Sequence, residues 1–98
     1  MPRIEVPREA LAQFCRRHQI RRLAFFGSVL REDFGPQSDV DVLVEFHADA
    51  RVGLIALSAM EIELGALLDR RVDLRAPGDL SRHFRDEVVR TAETQYAA

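Results

Sequence analysis

A small α/β (α+β) fold, a mixed β-sheet with helices packed on one face, is predicted by three observations. Asp39–Phe46 (DVDVLVEF) alternates apolar and polar residues as a half-buried strand does. Two shorter runs, RRLAFF at 21–26 and RVDLR at 71–75, stop at the turn signals Gly27-Ser28 and Pro77-Gly78. The stretches around them repeat apolar residues at helical spacing. Together these give the order α-β-(short α)-β-α-β-α, a layered fold with one sheet.

Each element follows from its residues. Pro7 suits a helix start, and Leu11, Phe14 and Cys15 at i, i+3, i+4 give the segment to about His18 one apolar face. Arg21–Phe26 is short, apolar and aromatic, as a buried strand is. Ser28 is placed to cap a short helical turn through Val29, Leu30 and Arg31, and Gly35-Pro36 then breaks the chain. After the strand Asp39–Phe46 and a loop at 47–51, residues 53–69 read as a helix. Leu57, Met60, Leu64, Leu67 and Leu68 form its inner stripe. Arg71–Arg75 is a third strand. A last helix, capped by Asp79 or Ser81, carries Leu80, Phe84, Val88 and Ala92 at i, i+4 steps.

Composition narrows the function. The 98 residues suit a single domain over 1–98, and 47% hydrophobic with 31% charged residues reads as globular. The formal charge of −2 supplies no basic field, so direct nucleic-acid binding is not expected. All 14 basic residues are arginine, a bias that says little about phosphate contacts. Cys15 has no cysteine to pair with and reads as a small buried hydrophobe. No leader and no apolar run near 18 residues stand in the chain, so a cytoplasmic protein with no membrane partner is expected.

Strand parity points to chemistry. Val40, Val42, Val44 and Phe46 face one side of the second strand, and Asp39, Asp41, Leu43 and Glu45 the other. Asp39 and Asp41 then stand about 6–7 Å apart along the strand. If the third strand lies beside the second, Asp73 joins them. Aspartate is a poor strand former, so two of them around Val40 carry a local cost that a function would explain. Three converging carboxylates repel one another unless a hard cation such as Mg²⁺ or Mn²⁺ sits among them, although a solvated sheet face holds aspartates too. Glu45 lies further along, as a solvated edge residue. His18, His47 and His83 share no spacing and read as surface positions.

Gly27-Ser28, a strand end opening a helical turn, offers backbone N–H groups and a hydroxyl to an anion. Ten residues separate it from Asp39-x-Asp41. The run from Gly27 to Phe46, GSVLREDFGPQSDVDVLVEF, resembles the signature of the DNA polymerase β-type nucleotidyltransferase superfamily. It is most similar to the minimal nucleotidyltransferases (MNT), antitoxins partnered with HEPN-domain toxins. The likeness extends from the leading helix through the later RRVDL.

The resemblance implies a role for each matching residue. Gly27 and Ser28 would hold the triphosphate of ATP. Asp39 and Asp41 would coordinate Mg²⁺, and Asp73 would be a third ligand and the acceptor of the proton from the attacking hydroxyl. Arg31 would contact phosphate or pair with Glu32 or Asp33, and Ser38 would orient Asp39 or end the turn. The implied reaction is Mg²⁺-dependent transfer of AMP from ATP to a hydroxyl, a tyrosine of a HEPN toxin, in a hetero-oligomer with it. HEPN ribonucleases carry Arg-x4–6-His, which none of the three histidines completes, so this chain is not the toxin half. The alternative is a non-catalytic antitoxin that neutralises its toxin by stable binding. A small-molecule transferase lacks room for an acceptor domain.

Overall fold

The computed structural model describes residues 4–30, 35 and 38–98, the side chain of Ser28 excepted. The first helix, α1 (Arg8–Arg17), starts behind Pro7, whose carbonyl accepts the Leu11 N–H at 2.9 Å. Proline has no donor to lose there and a φ already suited to a helix. Leu11, Phe14 and Cys15 are buried as their spacing requires. Burial pushes the Cys15 thiol up to about 12 against the pull of Arg16, in keeping with a side chain that packs in the core. Gln19, at φ 59°, turns the chain into β1 (Ile20–Phe26).

β1 passes through a 3₁₀ turn at Gly27–Leu30 toward β2 (Val40–Phe46). β2 pairs antiparallel with β1 and parallel with β3 (Val72–Arg75). A parallel pair needs a crossover, and α2 (Leu54–Leu68) supplies it. The helix ends at Asp69 in the left-handed conformation (φ 55°), and the Arg70 N–H returns to the Gly65 carbonyl at 3.0 Å. A Cβ on Gly65 would stand 2.9 Å from the Arg70 carbonyl oxygen, so this turn requires glycine.

The fold class is the one the sequence predicts: among the described residues, three helices and a four-stranded mixed sheet, ordered β3-β2-β1-β4, that does not close. α1 and α2 cover one face, packed on Leu23, Phe25, Val40, Val42, Val44 and Leu74. Ile20 joins that face because a bulge between Ile20 and Arg22 shifts the register.

Three particulars differ from expectation. The last helix, α3, spans only Arg85–Thr91, and Glu93–Ala97 forms a fourth strand, β4, antiparallel to β1. α3 also lies on the second face, where Leu80, Val88 and Ala92 seal Ala24 and Leu43. Helices therefore pack on both faces. Arg22 supplies the reason: it donates to the carbonyls of Val89 (3.0 Å) and Ala92 (3.3 Å) and to Thr94 Oγ1 (3.0 Å), pinning the helix end and the strand start together. Asp79 does not cap α3. Its carboxylate accepts the Ala76 N–H at 3.2 Å and closes the 3₁₀ turn Pro77–Asp79. Among the described residues no helix is long and apolar enough to cross a membrane.

Candidate active site

The sheet brings three of the expected residues to one corner. β1 ends at Phe26, paired with Asp41, and Asp41 is paired in turn with Asp73 across the parallel ladder. Neighbouring strands lie about 4.8 Å apart, so the two half-buried carboxylates issue side by side from the second face. Gly27 follows at φ 72°. A Cβ there would run into the Asp41 carboxylate, so glycine meets two demands at once, a left-handed backbone and close approach. The 3₁₀ turn that Gly27 opens packs against β2.

Asp39 stands apart. It precedes β2, is exposed, and pairs with Arg71 Nε at 3.2 Å. Asp73 pairs with Arg75 at 3.1 Å. The donor set still suits a hard divalent cation, because carboxylates at Asp41 and Asp73 are register neighbours and Asp39 lies two residues before Asp41. The side chains themselves do not converge: among the described residues, no three Asp, Glu, His or Cys side chains are grouped to hold a metal ion. The fit is therefore one of chemistry and register, with Asp39 and Asp73 each turned to an arginine.

Ser38 ends the turn. Its hydroxyl accepts the Gly35 N–H at 3.2 Å, while its own N–H donates to the Gly35 carbonyl at 3.0 Å. Arg31 and the side chain of Ser28 lie outside the described residues. Glu45 is not a solvated edge: it is half-buried and paired with Arg21 at 2.8 Å and Arg22 at 2.9 Å. His47 and His83 are exposed as expected, but His18 is half-buried, its ring tilted against Phe14 at 4.8 Å and bonded to Glu63 at 2.9 Å. Desolvation alone would raise the Glu63 pKa. Hydrogen bonds and charge from His18 and Arg17 outweigh it and hold the carboxyl below its ordinary value.

Sequence reasoning missed Arg70. Its guanidinium donates to the carbonyls of Gly35 (2.5 Å) and Ser38 (3.1 Å), which fastens the chain just before Asp39 to the start of β3. Only its place in the Arg70-Arg71 pair ahead of the third strand hinted at this. Glu61 was missed too: it accepts the Leu74 N–H at 2.7 Å and covers part of the free edge of β3. A hollow of about 530 Å³ opens between α2 and β3, with Asp39, Arg71 and Asp73 on its wall.

Comparison with known proteins gives a consistent result. The sequence model of the family described as nucleotidyltransferase domain matches residues 7–96. MJ0435 of Methanocaldococcus jannaschii, provisionally named a protein adenylyltransferase, is 29% identical over 76 residues, 78% of this chain and 80% of its own. A solved structure provisionally described as a minimal nucleotidyltransferase is 35% identical, with a TM-score of 0.70 over 87% of this chain and 85% of that one. A complex of a tri-AMPylated Shewanella oneidensis HEPN toxin with its MNT antitoxin shares the fold. Its TM-score is 0.65 at 22% identity, over 93% of this chain and 70% of that one.

Proposed function

Because this chain belongs to the nucleotidyltransferase domain family, we propose that it moves AMP from ATP to a tyrosine hydroxyl of a HEPN-type toxin and acts as that toxin's antitoxin. The observation that carries the reading is the pairing of Asp41 with Asp73 beside Gly27, whose lack of a Cβ makes room for the Asp41 carboxylate. The relatives support the acceptor class: one is provisionally named a protein adenylyltransferase, and another is seen with an AMPylated HEPN toxin.

In the proposed step the hydroxyl oxygen bonds to the α-phosphorus of ATP. The bond from that phosphorus to the oxygen bridging to the β-phosphate breaks, and pyrophosphate leaves. Asp73 takes the proton of the hydroxyl. Asp39, Asp41 and Asp73 are the residues that would hold Mg²⁺, which supplies, when bound, charge neutralisation on the phosphates. Gly27 and the turn after it present backbone N–H groups to the triphosphate, with Ser28 and Arg31 as further phosphate contacts. Arg70 and Ser38 set the backbone from which Asp39 projects.

The test is intact-mass analysis of a HEPN toxin after incubation with ATP, Mg²⁺ and this protein. Wild type adds adenylyl groups, whereas Asp41→Asn and Asp73→Asn slow the addition by about a hundredfold or more. Full modification by both variants overturns the site. One observation favours the second reading, neutralisation by binding alone: Asp39 and Asp73 are each paired with an arginine. Asp73→Asn separates the two. A variant that binds toxin yet no longer protects cells supports catalysis, and one that protects like wild type supports sequestration.

A further inference from the structure

We propose that the outer face of α2 pairs with the same face of a second copy of this chain, antiparallel, about a two-fold axis between residues 60 and 61. The helix buries Met60, Leu64 and Leu68 against the sheet, yet its opposite side is also apolar. Ile55 is 90% exposed and Ile62 76%, with Ala59 and Ala66 exposed between and beyond them. These four fall at i, i+4, i+7 and i+11, one stripe along three turns, widened at its start by the exposed Leu54. A helix that is apolar on two opposite faces is ordinarily covered on both.

No charged residue lies within the stripe, and Ile62 also borders the hollow that Asp39, Arg71 and Asp73 line. The only ionisable residues of α2 are Glu61 and Glu63, and both carboxylates are engaged by their own chain. Glu61 accepts the Leu74 N–H, and Glu63 is bound by Arg17 and His18. The absence of charge makes the face costly to leave in water and cheap to desolvate.

The pattern of sizes selects the occupant. Along the stripe isoleucine and alanine alternate, so the surface is a row of knobs and gaps. In an antiparallel pair centred between 60 and 61, Ile55 meets Ala66 of the second copy and Ala59 meets Ile62 of the second copy. Every knob faces a gap, and the two-fold axis repeats each contact. A parallel pairing would set isoleucine against isoleucine and leave the alanines apart. Charge agrees at the ends. The exposed Arg51 lies before the helix start and the exposed Asp69 after its end, so antiparallel pairing brings opposite charges and opposed helix dipoles together twice. Arg70, the next cation, is turned inward to the carbonyls of Gly35 and Ser38.

A patch of this kind is on the order of 300–600 Å². Burying it from both copies approaches the ~1,200 Å² lower end of specific interfaces, so micromolar self-association is expected.

Sedimentation of the full-length protein over about 1–200 μM, a span bracketing micromolar affinity, reads the association. Both Ala59 and Ile62 are exposed in the single chain, so substitutions there leave the fold intact, which circular dichroism checks. Ala59→Ile sets isoleucine against isoleucine, and Ile62→Ala sets gap against gap. Each is expected to weaken dimerisation about tenfold or more. The double variant Ala59→Ile/Ile62→Ala exchanges knob and gap and restores it. Three results overturn the proposal: a wild-type chain that stays monomeric throughout, a dimer indifferent to both single changes, or a double variant no better than the singles. The first would assign the stripe to a different protein, the second would move the dimer elsewhere, and the third would reject this register.

Discussion

The two faces of the sheet are made by the same strands and differ in what covers them. Under α1 and α2, Val40, Val42, Val44 and Leu74 are sealed into the larger apolar cluster. On the other side the alternate residues of those strands meet two environments. Leu43 and Ala24 are sealed under α3 and the segment leading to it, while Asp41 and Asp73 remain half-buried. Strand parity decides which side a residue faces, and the position of α3 decides whether it is core or site. A face can therefore be half core and half active surface, with the boundary inside one strand between Asp41 and Leu43.

Substitutions can break or sharpen this contrast. The largest effect belongs to the first face: Phe14→Ala, at a fully buried ring, should cost about 3–5 kcal/mol in denaturant unfolding. If the second face is as well sealed under α3 as described, Leu43→Ala should behave like a core change and cost about 2 kcal/mol or more. A loss under half a kilocalorie would mean that α3 covers the sheet loosely in solution.

Gly27→Ala acts at the boundary between strand and site. It places a methyl group against the Asp41 carboxylate on a left-handed backbone, so unfolding measurements should register a loss of roughly 1–3 kcal/mol. Nucleotide transfer should fall further than that stability loss explains, because Asp41 must move. Transfer unchanged in a folded Gly27→Ala protein would detach the turn from the site.

The smallest effect concerns Glu63, far from the site. Its folded-state pKa is lowered, so its contribution is present at neutral pH and is lost as pH falls through that lowered value, below the ordinary ~4.3. The side chain is 36% exposed, and solvent screening limits the contribution to a few tenths of a kcal/mol. Glu63→Gln should flatten the stability profile below about pH 4 and change little above pH 6. An identical slope in the variant would show that the bonds to Arg17 and His18 confer no stability.

Much of the fold was legible because burial on one side leaves a periodic trace. Asp39–Phe46 alternates, and of the inner-stripe residues Leu57, Met60, Leu64, Leu67 and Leu68 of α2, Met60, Leu64 and Leu68 are buried. β4 left no such trace. Glu93–Ala97 has Tyr96 as its only large apolar residue, and the i, i+4 series that ends at Ala92 looked like continued helix. The strand forms because β1 has an open edge and Arg22 stops the helix at Ala92, both of them non-local causes. Glu45 was misjudged for a related reason, since its arginine partners lie across a strand pair.

What the sequence determined by itself is the set of elements with strong local periodicity, and the side of the strand on which Asp41 and Asp73 stand. Those follow from backbone geometry, which gives a strand a period of two and a helix one of 3.6 whatever surrounds them. The tertiary structure alone decided three things. It set Asp41 opposite Asp73 through the parallel register, laid α3 over Leu43, and turned Asp39 and Asp73 toward Arg71 and Arg75. Each joins residues distant in the chain or selects among rotamers of exposed side chains. Local pattern carries no record of either, because those choices are made by the free energy of the packed whole.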